Sequence, residues 1–207
     1  MTCDDIRRRL PGILGAAGRE PRIRGDHDLN PSMLPPEMLR PAAVLVPLVA
    51  REAGASLIFT QRTAHLAAHA GQISFPGGGL EDCDADEEAC ALRETAEEIG
   101  LDPARVDVIG RLDTYVTRTG FRVTPVVGFV QLPFELAPDP FEVAEVFEVP
   151  LAFFLAPDSQ HRHSYDVQGV ERHFYAFPYE DRYIWGATAG MLVNLCDVLR
   201  EACSESS

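Results

Sequence analysis

The stretch from Glu81 to Glu98 restricts the fold of this chain more than any other. It carries nine carboxylates (Glu81, Asp82, Asp84, Asp86, Glu87, Glu88, Glu94, Glu97, Glu98) and a single base, Arg93. A glycine run, Gly77-Gly78-Gly79, precedes it and Gly100 closes it. The pattern predicts a helix from about Asp86 to Ile99, with Ala89, Leu92, Ala96 and Ile99 at core spacing on one face, so that the carboxylates opposite are held in fixed positions. Asp86, Glu87 and Glu88 suit the positive end of the helix dipole. Glu94, Glu97 and Glu98 do not, because at i, i+3 and i+4 near the C-terminus they face both mutual repulsion and an unfavourable dipole. A rigid group of hard oxygens suits Mg²⁺ or Mn²⁺. A solvated charged face would alternate in sign, which Arg93 alone cannot provide. A calcium loop beginning at Asp82 fails, since its sixth position is Glu87 and its twelfth is Arg93.

Around this segment the texture is that of an α+β protein. Thr2 can cap a short helix through Ile6 and Leu10 that gives way at Pro11 and Gly12, and five prolines mark Pro21 to Pro41 as an irregular extension, so that residues 1–41 read as an N-terminal helix and a Pro-rich extension. Ala42 to Ala50 and Ser56 to Arg62 read as a strand pair about Gly54, and Gln72 to Phe75 as a short strand entering the glycine turn. Val106 to Val116, Phe121 to Val130 and Val143 to Val149 read as strands, and Ser164 to Val167 with Val170 to Phe177 as a hairpin turning at Gln168-Gly169. From Thr188 to about Ala202, Met191, Leu192, Leu195, Val198 and Leu199 make an amphipathic helix. These residues and Trp185 are expected in the core. The expected architecture is one domain over 42–203, helices packed on a mixed, mostly antiparallel sheet, with a tail at 204–207.

At 207 residues the chain amounts to about 1.4 domains of roughly 150 residues, hence one domain with an extension. Eighteen Lys plus Arg against 32 Asp plus Glu leave a net charge of −14. That excludes binding to nucleic acid or a membrane surface by general electrostatic attraction, so an anionic ligand must be won locally. The longest apolar run, Ala42 to Ala50, contains Pro47 and falls well short of the roughly 20 residues of a membrane helix. The N-terminus lacks a secretory pattern, and a cytoplasmic protein is expected. The five cysteines have no C-x-x-C spacing and are expected as free thiols.

Arg93-Glu94-Thr95-Ala96-Glu97-Glu98-Ile99-Gly100-Leu101 resembles the second half of the Nudix box, R-E-U-x-E-E-x-G-U with U apolar, Thr95 standing for an apolar residue. The first half is offset by one, with Asp84 as its acid and Gly78 in its glycine slot. The same offset, together with Leu57-Ile58-Phe59-Thr60-Gln61-Arg62, Gly71 and Phe75-Pro76-Gly77-Gly78, resembles the coenzyme A pyrophosphatase branch, L-L-T-x-R-S-x3-R-x3-G-x3-F-P-G-G. Thr63 stands there for Ser and Ala67 for the second Arg. The likeness extends to Glu142-Val143-Ala144-Glu145, Val149-Pro150-Leu151 and Ile184 to Ala189, most of residues 42 to 200. It implies a Nudix-type α/β/α sandwich that hydrolyses a diphosphate with Mg²⁺ or Mn²⁺. Glu94 and Glu98 would hold the principal metal, completed by Glu97 and the Gly78 carbonyl. Arg93 would brace the carboxylates through Asp84 or Glu97, and either Glu98 or the loop acid Glu142 would serve as general base. Arg62 is the leading phosphate-binding cation beside Gly77 and Gly78, with Arg118 and Arg122 as weaker options. The implied partner is a small nucleotide diphosphate, coenzyme A or its acyl thioesters, giving 3′,5′-ADP and 4′-phosphopantetheine. ADP-ribose, a dinucleotide or a nucleoside triphosphate is the alternative substrate, and a non-catalytic binding module the alternative class. His65 and His69 stand at i, i+4 without the H-E-x-x-H of a zinc site, and His161 and His163 read as surface residues.

Overall fold

The computed structural model describes residues 3–14, 22–33, 37–65, 71–167 and 169–204. In chain order its elements are α1 (Cys3–Leu14), β1 (Ile23–Gly25), β2 (Arg40–Arg51), β3 (Gly54–Arg62), β4 (Ile73–Ser74), β5 (Gly77–Gly79) and α2 (Glu87–Ile99). A short 3-10 turn at Pro103–Arg105 leads to β6 (Val106–Arg111), β7 (Thr114–Val116) and β8 (Phe121–Val130). There follow β9 (Val143–Pro150), α3 (Leu151–Leu155), β10 (His161–Val167), β11 (Val170–Tyr179), β12 (Arg182–Trp185) and α4 (Ala187–Ser204). No helix among the described residues is long and apolar enough to cross a membrane, and the four cysteines whose side chains are described are free thiols.

The main sheet runs β1-β7-β8-β2-β3-β4, with β5 also on β2, β6 on β8 and β9 on β3. Only β2 with β8 and β1 with β7 are parallel. Successive side chains on a strand point to opposite faces, and both faces here are apolar. Val46 and Leu48 on β2, Leu57 and Phe59 on β3 and Val127 and Phe129 on β8 join the cluster that includes α1, α3 and α4. Their neighbours Leu45, Val49, Ile58, Val126 and Val130 join Cys90, Ala91 and Ile99 of α2 on the other face. The result is the expected sandwich, helix layers on both sides of a mixed sheet.

The β2–β3 hairpin opens like a fork. Its strands pair from Leu48↔Leu57 to Arg51↔Gly54 and then separate, and residues 73–79 fill the gap, β4 on β3 and β5 on β2. Pro47 is tolerated within β2 because of this fork. The Leu45 N–H donates to the Pro76 carbonyl, so the nitrogen of Pro47, two residues on, faces the same edge, where β5 has ended and β3 has not begun. A second proline splits the strand expected over 106–116. The Pro125 carbonyl accepts from the Leu112 N–H, so its hydrogen-less nitrogen faces that same edge, and the ladder breaks there into β6 and β7.

The N-terminal residues, expected outside the 42–203 domain, instead join its core. α1 does not give way at Pro11-Gly12 but continues to Leu14, because Ile6 and Leu10 are fully buried in the α4 face of the core. Arg9 adds a hydrogen bond from its side chain to the Ala202 carbonyl of α4, 2.9 Å. β1 is fixed by buried Asp113, whose carboxylate accepts from Arg24 Nε at 3.2 Å and from Asn194 Nδ2 of α4 at 3.1 Å. Replacing Leu10 by Ala is therefore expected to cost about 2–5 kcal/mol in urea unfolding, the range for emptying a buried leucine site. A loss below about 0.5 kcal/mol, the scale of a surface substitution, would show that α1 is not part of the cooperative core.

Candidate active site

α2 is fixed at both ends before its carboxylates are considered. The Asp86 side chain caps the first turn, accepting from the Glu88 and Ala89 N–H groups, and Gly100 closes the last at φ 69°, its N–H on the Ala96 carbonyl. Arg111 of β6 clamps the early acids, donating from Nε to Glu88 at 3.0 Å, from Nη1 to Glu87 at 2.8 Å and from Nη2 to Asp86 at 3.3 Å. The face turned to the sheet is Cys90, Ala91, Thr95, Glu98 and Ile99, rotated from the expected Ala89, Leu92, Ala96 and Ile99, of which only Ile99 is fully buried. Thr95 explains the rotation. Its hydroxyl donates to the Ala91 carbonyl at 2.6 Å, so a polar residue fills an apolar position with its hydrogen bond satisfied, and Glu98 turns inward one turn on.

The glycine strand allows the helix to come this close. A Cβ at Gly78 would lie 2.4 Å from the Glu94 carboxyl carbon, and one at Gly77, where φ is +152°, 2.3 Å from the Ala43 carbonyl oxygen. The Gly77 N–H donates to Glu98 Oε2 at 3.1 Å, and the Cys90 thiol donates to the Gly79 carbonyl. Arg93 then ties strand to helix: Nε and Nη2 each reach Asp84 at 2.9 Å, Nη1 reaches Glu94 at 3.1 Å and Glu97 at 3.0 Å, and Nη2 also meets the Gly79 carbonyl at 3.2 Å. This guanidinium holds the Asp84 carboxyl well below the usual carboxylate range.

Glu98 is 7% exposed. Burial pushes its carboxyl up to about 7, against the opposing Gly77 N–H and Arg62 and with Glu142 and Glu94 adding to the rise. Burial likewise raises Glu94, which Arg93 opposes, whereas Glu97 stands largely in solvent. Arg62, at the end of β3, lies between two acids, Nη1 3.6 Å from Glu98 Oε1 and Nη2 3.8 Å from Glu142 Oε2. Neither contact is a short hydrogen bond, and the buried Arg62 Nε has no partner among the described residues. The expectation that Arg93 is the only cation available to the acid cluster is thus corrected, since Arg62 and Arg111 reach it from other strands.

Glu142 arrives by a latch. Thr63 donates from Oγ1 to the Phe141 carbonyl at 2.8 Å and from its N–H to the Glu142 carbonyl at 2.9 Å, and the Asp139 N–H donates to the Glu98 carbonyl at 2.9 Å. The loop before β9 is thereby fastened to the end of α2. Thr63, Arg111 and Cys90 acquire these roles through contacts distant in sequence, and no local spacing announces them.

Other expected positions lie apart. Arg118 and Arg122 are exposed and make no ion pair with the α2 carboxylates. His65 is exposed and stands edge-on to Phe141, while Ala67 and His69 fall outside the described residues. His161 and His163 are exposed as expected, but Trp185, expected in the core, is 37% exposed because Ile184 takes the inward position.

Among the described residues no three carboxylate, imidazole or thiol groups close into a finished metal cage. The donor set nevertheless fits a hard divalent cation. Glu94 and Glu98 are carboxylates that burial penalises in the charged form, they sit beside backbone stripped of Cβ atoms, and added positive charge would relieve both. The two glycines are expected to respond differently to a methyl group. Gly77→Ala meets backbone at an unfavourable φ and should lower the thermal midpoint by several degrees. Gly78→Ala meets only the movable end of Glu94, so the midpoint should change little while hydrolytic turnover falls. Equal destabilisation by both would contradict the close-approach account.

A NUDIX domain family model matches residues 38–167. NudL of Escherichia coli K12, described as an uncharacterized Nudix hydrolase, is 43% identical over 158 residues, 75% of this chain and 81% of NudL. The NudL of Shigella boydii serotype 18 matches at the same identity and coverage. Among solved structures, the Nudix hydrolase RenU of M. smegmatis superposes with a TM-score of 0.51 at 18% identity, over 81% of this chain and 88% of RenU. A MutT/nudix family protein of Enterococcus faecalis gives 0.50 at 15% identity, over 83% of this chain and 65% of that one. At such identities the structures speak to the fold.

Proposed function

From the premise that the chain belongs to the Nudix family and is a Nudix pyrophosphohydrolase, we propose that it cleaves coenzyme A or acyl-CoA to 3′,5′-ADP and (acyl-)4′-phosphopantetheine. The observation that carries the reading is Arg62, a cation between the buried Glu98 and Glu142 that closes a short hydrogen bond with neither and whose Nε has no partner among the described residues. Arg62 and Thr63 also stand in the R-S positions of the coenzyme A pyrophosphatase pattern, whose seventeen positions from Arg62 onward end on Gly77 and Gly78.

Each residue has a task. Arg62 turns its unpaired Nε and loosely held Nη groups to a phosphate oxygen, a charge-assisted contact stronger than those it now makes. Gly77 and Gly78, having no Cβ, let Glu94 and Glu98 lie against the strand backbone and so bring the carboxylates to the place where the diphosphate charge must be met. Arg93, locked by Asp84, keeps Glu94 and Glu97 oriented. Glu94 and Glu98, with Glu97 and the Gly78 carbonyl, would hold Mg²⁺ or Mn²⁺, which would supply Lewis-acid neutralisation of the diphosphate charge. Glu142 accepts the proton of the attacking water. It is the better base of the two candidates, since Glu98 is buried with one oxygen on the Gly77 N–H and serves the metal, whereas Glu142 is partly open to solvent and carries only the long Arg62 contact.

Mass-spectrometric product analysis with coenzyme A and Mn²⁺ tests the reading directly. The two nucleotide-side and pantetheine-side products are expected, chelation should abolish their formation, and faster turnover of ADP-ribose, a dinucleotide or a nucleoside triphosphate at equal concentration would overturn the substrate assignment. Glu98→Gln should lose at least about 10²-fold in turnover together with Mn²⁺ affinity, the scale of removing one preorganised electrostatic group. Glu142→Gln should lose about 10²- to 10⁴-fold in kcat with KM and Mn²⁺ affinity kept. Wild-type kcat in Glu142→Gln would return the proton to Glu98.

A further inference from the structure

The three strands β10, β11 and β12 form a separate small antiparallel sheet, whose inner face packs Phe177 and Ile184 into the core. Its outer face is aromatic. Phe174 stands at the centre, with Trp185 at 5.5 Å and Tyr165 at 5.6 Å edge-on from either side and His163 at 5.9 Å, while Tyr183 lies beyond His163. Tyr165, Tyr183 and Trp185 are 41%, 43% and 37% exposed. In a chain of net charge −14, this face carries no carboxylate: its positions alternate along 161–167, 170–178 and 183–185, and none is Asp or Glu. Its one guanidinium, Arg172, is opposite Tyr165 and forms no ion pair among the described residues, its Nη1 having no hydrogen-bond partner.

A ring cluster with an uncommitted cation and no carboxylate among its own positions complements a flat, negatively charged ligand. We propose that this face is a second ligand site, separate from the α2 carboxylates, that takes the purine base of a free mononucleotide over Phe174 and against the exposed rings of Tyr165 and Trp185, which stand edge-on to it, with the Arg172 guanidinium swinging to its phosphate. Two other occupants fit worse. A second copy meeting this face symmetrically would bury Arg172 against a face that offers it no carboxylate. A single-stranded nucleic acid would set many phosphates against a chain of net charge −14, whereas a mononucleotide brings few.

Trp185 is the single tryptophan of the chain, so its fluorescence reads this face alone. With a chelator present to silence hydrolysis, AMP should quench it saturably. Tyr165→Ser and Arg172→Ala should each weaken the binding by roughly 5- to 100-fold, the range for losing one base-stacking partner or one phosphate contact. Glu98→Gln should leave the quench unchanged, and Tyr165→Ser should leave coenzyme A turnover unchanged. The proposal is overturned by absence of a saturable quench, by an equal quench with ribose 5-phosphate, or by one lost in Glu98→Gln and kept in Tyr165→Ser. It is equally overturned if a short oligoadenylate binds more tightly than AMP, or if the fluorescence follows protein concentration without nucleotide. Because the readout needs no hydrolysis, it stands or falls independently of the coenzyme A assignment.

Discussion

Contact between the glycine backbone of β5 and the carboxylate face of α2 is the constraint from which the rest of the site follows. A helix ordinarily packs on a sheet through side chains that keep the two backbones well apart. Here the strand has none, and Glu94 lies where a Cβ of Gly78 would be. That approach is possible only because β2 and β3 part and residues 73–79 enter between them, an opening in which Pro47, with no donor to give, is also accommodated. The fork in the hairpin, the glycines and the inward turn of Glu98 are thus one arrangement. Removing any of them moves a carboxylate.

The electrostatics of α2 show how such crowding is tolerated. Three arginines from three different elements divide the acids among them: Arg111 of β6 at the first turn, Arg93 of the helix itself in the middle, and Arg62 of β3 at the end. Exposed pairs of this kind contribute at most about 1 kcal/mol each, so the first-turn clamp orients the helix more than it stabilises the fold. Arg93 is different in kind, because its planar fork meets both oxygens of a nearly buried Asp84, a geometry that an ammonium group could not reproduce. At the last turn, pairing is left incomplete. Glu98 is desolvated, and its two partners, a backbone N–H and an arginine beyond hydrogen-bond distance, do not offset the cost of its charge. Repulsion along the helix, which arginines relieve, is therefore a weaker argument for a cation than the desolvation of this single side chain.

Much of the architecture was legible because it follows local rules. Asp86 and Gly100 announce the ends of α2, Gly54 the first hairpin, and the apolar stripe from Met191 to Leu199 the last helix. What escaped depends on partners far away in the chain. A three-glycine strand has no side-chain periodicity to read, and β5 is a strand only because β2 lies alongside it. The face of α2 was misjudged by taking Ala89, Leu92 and Ala96 as inward, when Thr95, its hydroxyl bonded back to the Ala91 carbonyl, is buried instead. α1 passes Pro11 because α4 and β6 hold it, which no propensity contains. Arg62 was legible as a cation near the glycine turn; that it stands between Glu98 and Glu142 was not, since Glu142 is brought in by the latch between Thr63 and Phe141, 78 residues apart along the chain.

That latch gives Thr63 more consequence than its place at a strand end suggests. β3 ends in Arg62, which stands between Glu98 and Glu142, and the next residue holds the loop that carries Glu142. Cation and carboxylate are thus set by adjacent residues of one strand terminus, and a shift of that terminus displaces them together. The same strand pairs with β9, whose Glu145 meets Arg182 at the start of β12, so the terminus is also tied to the small aromatic sheet. A continuous path of strand pairing and one ion pair joins the hydrolytic side to the outward face of β10–β12. Spatial continuity of this kind is only a route; energetic coupling between the two faces would require that occupancy of one alter the arrangement of the other, and the rigid element they share is β3 with β9.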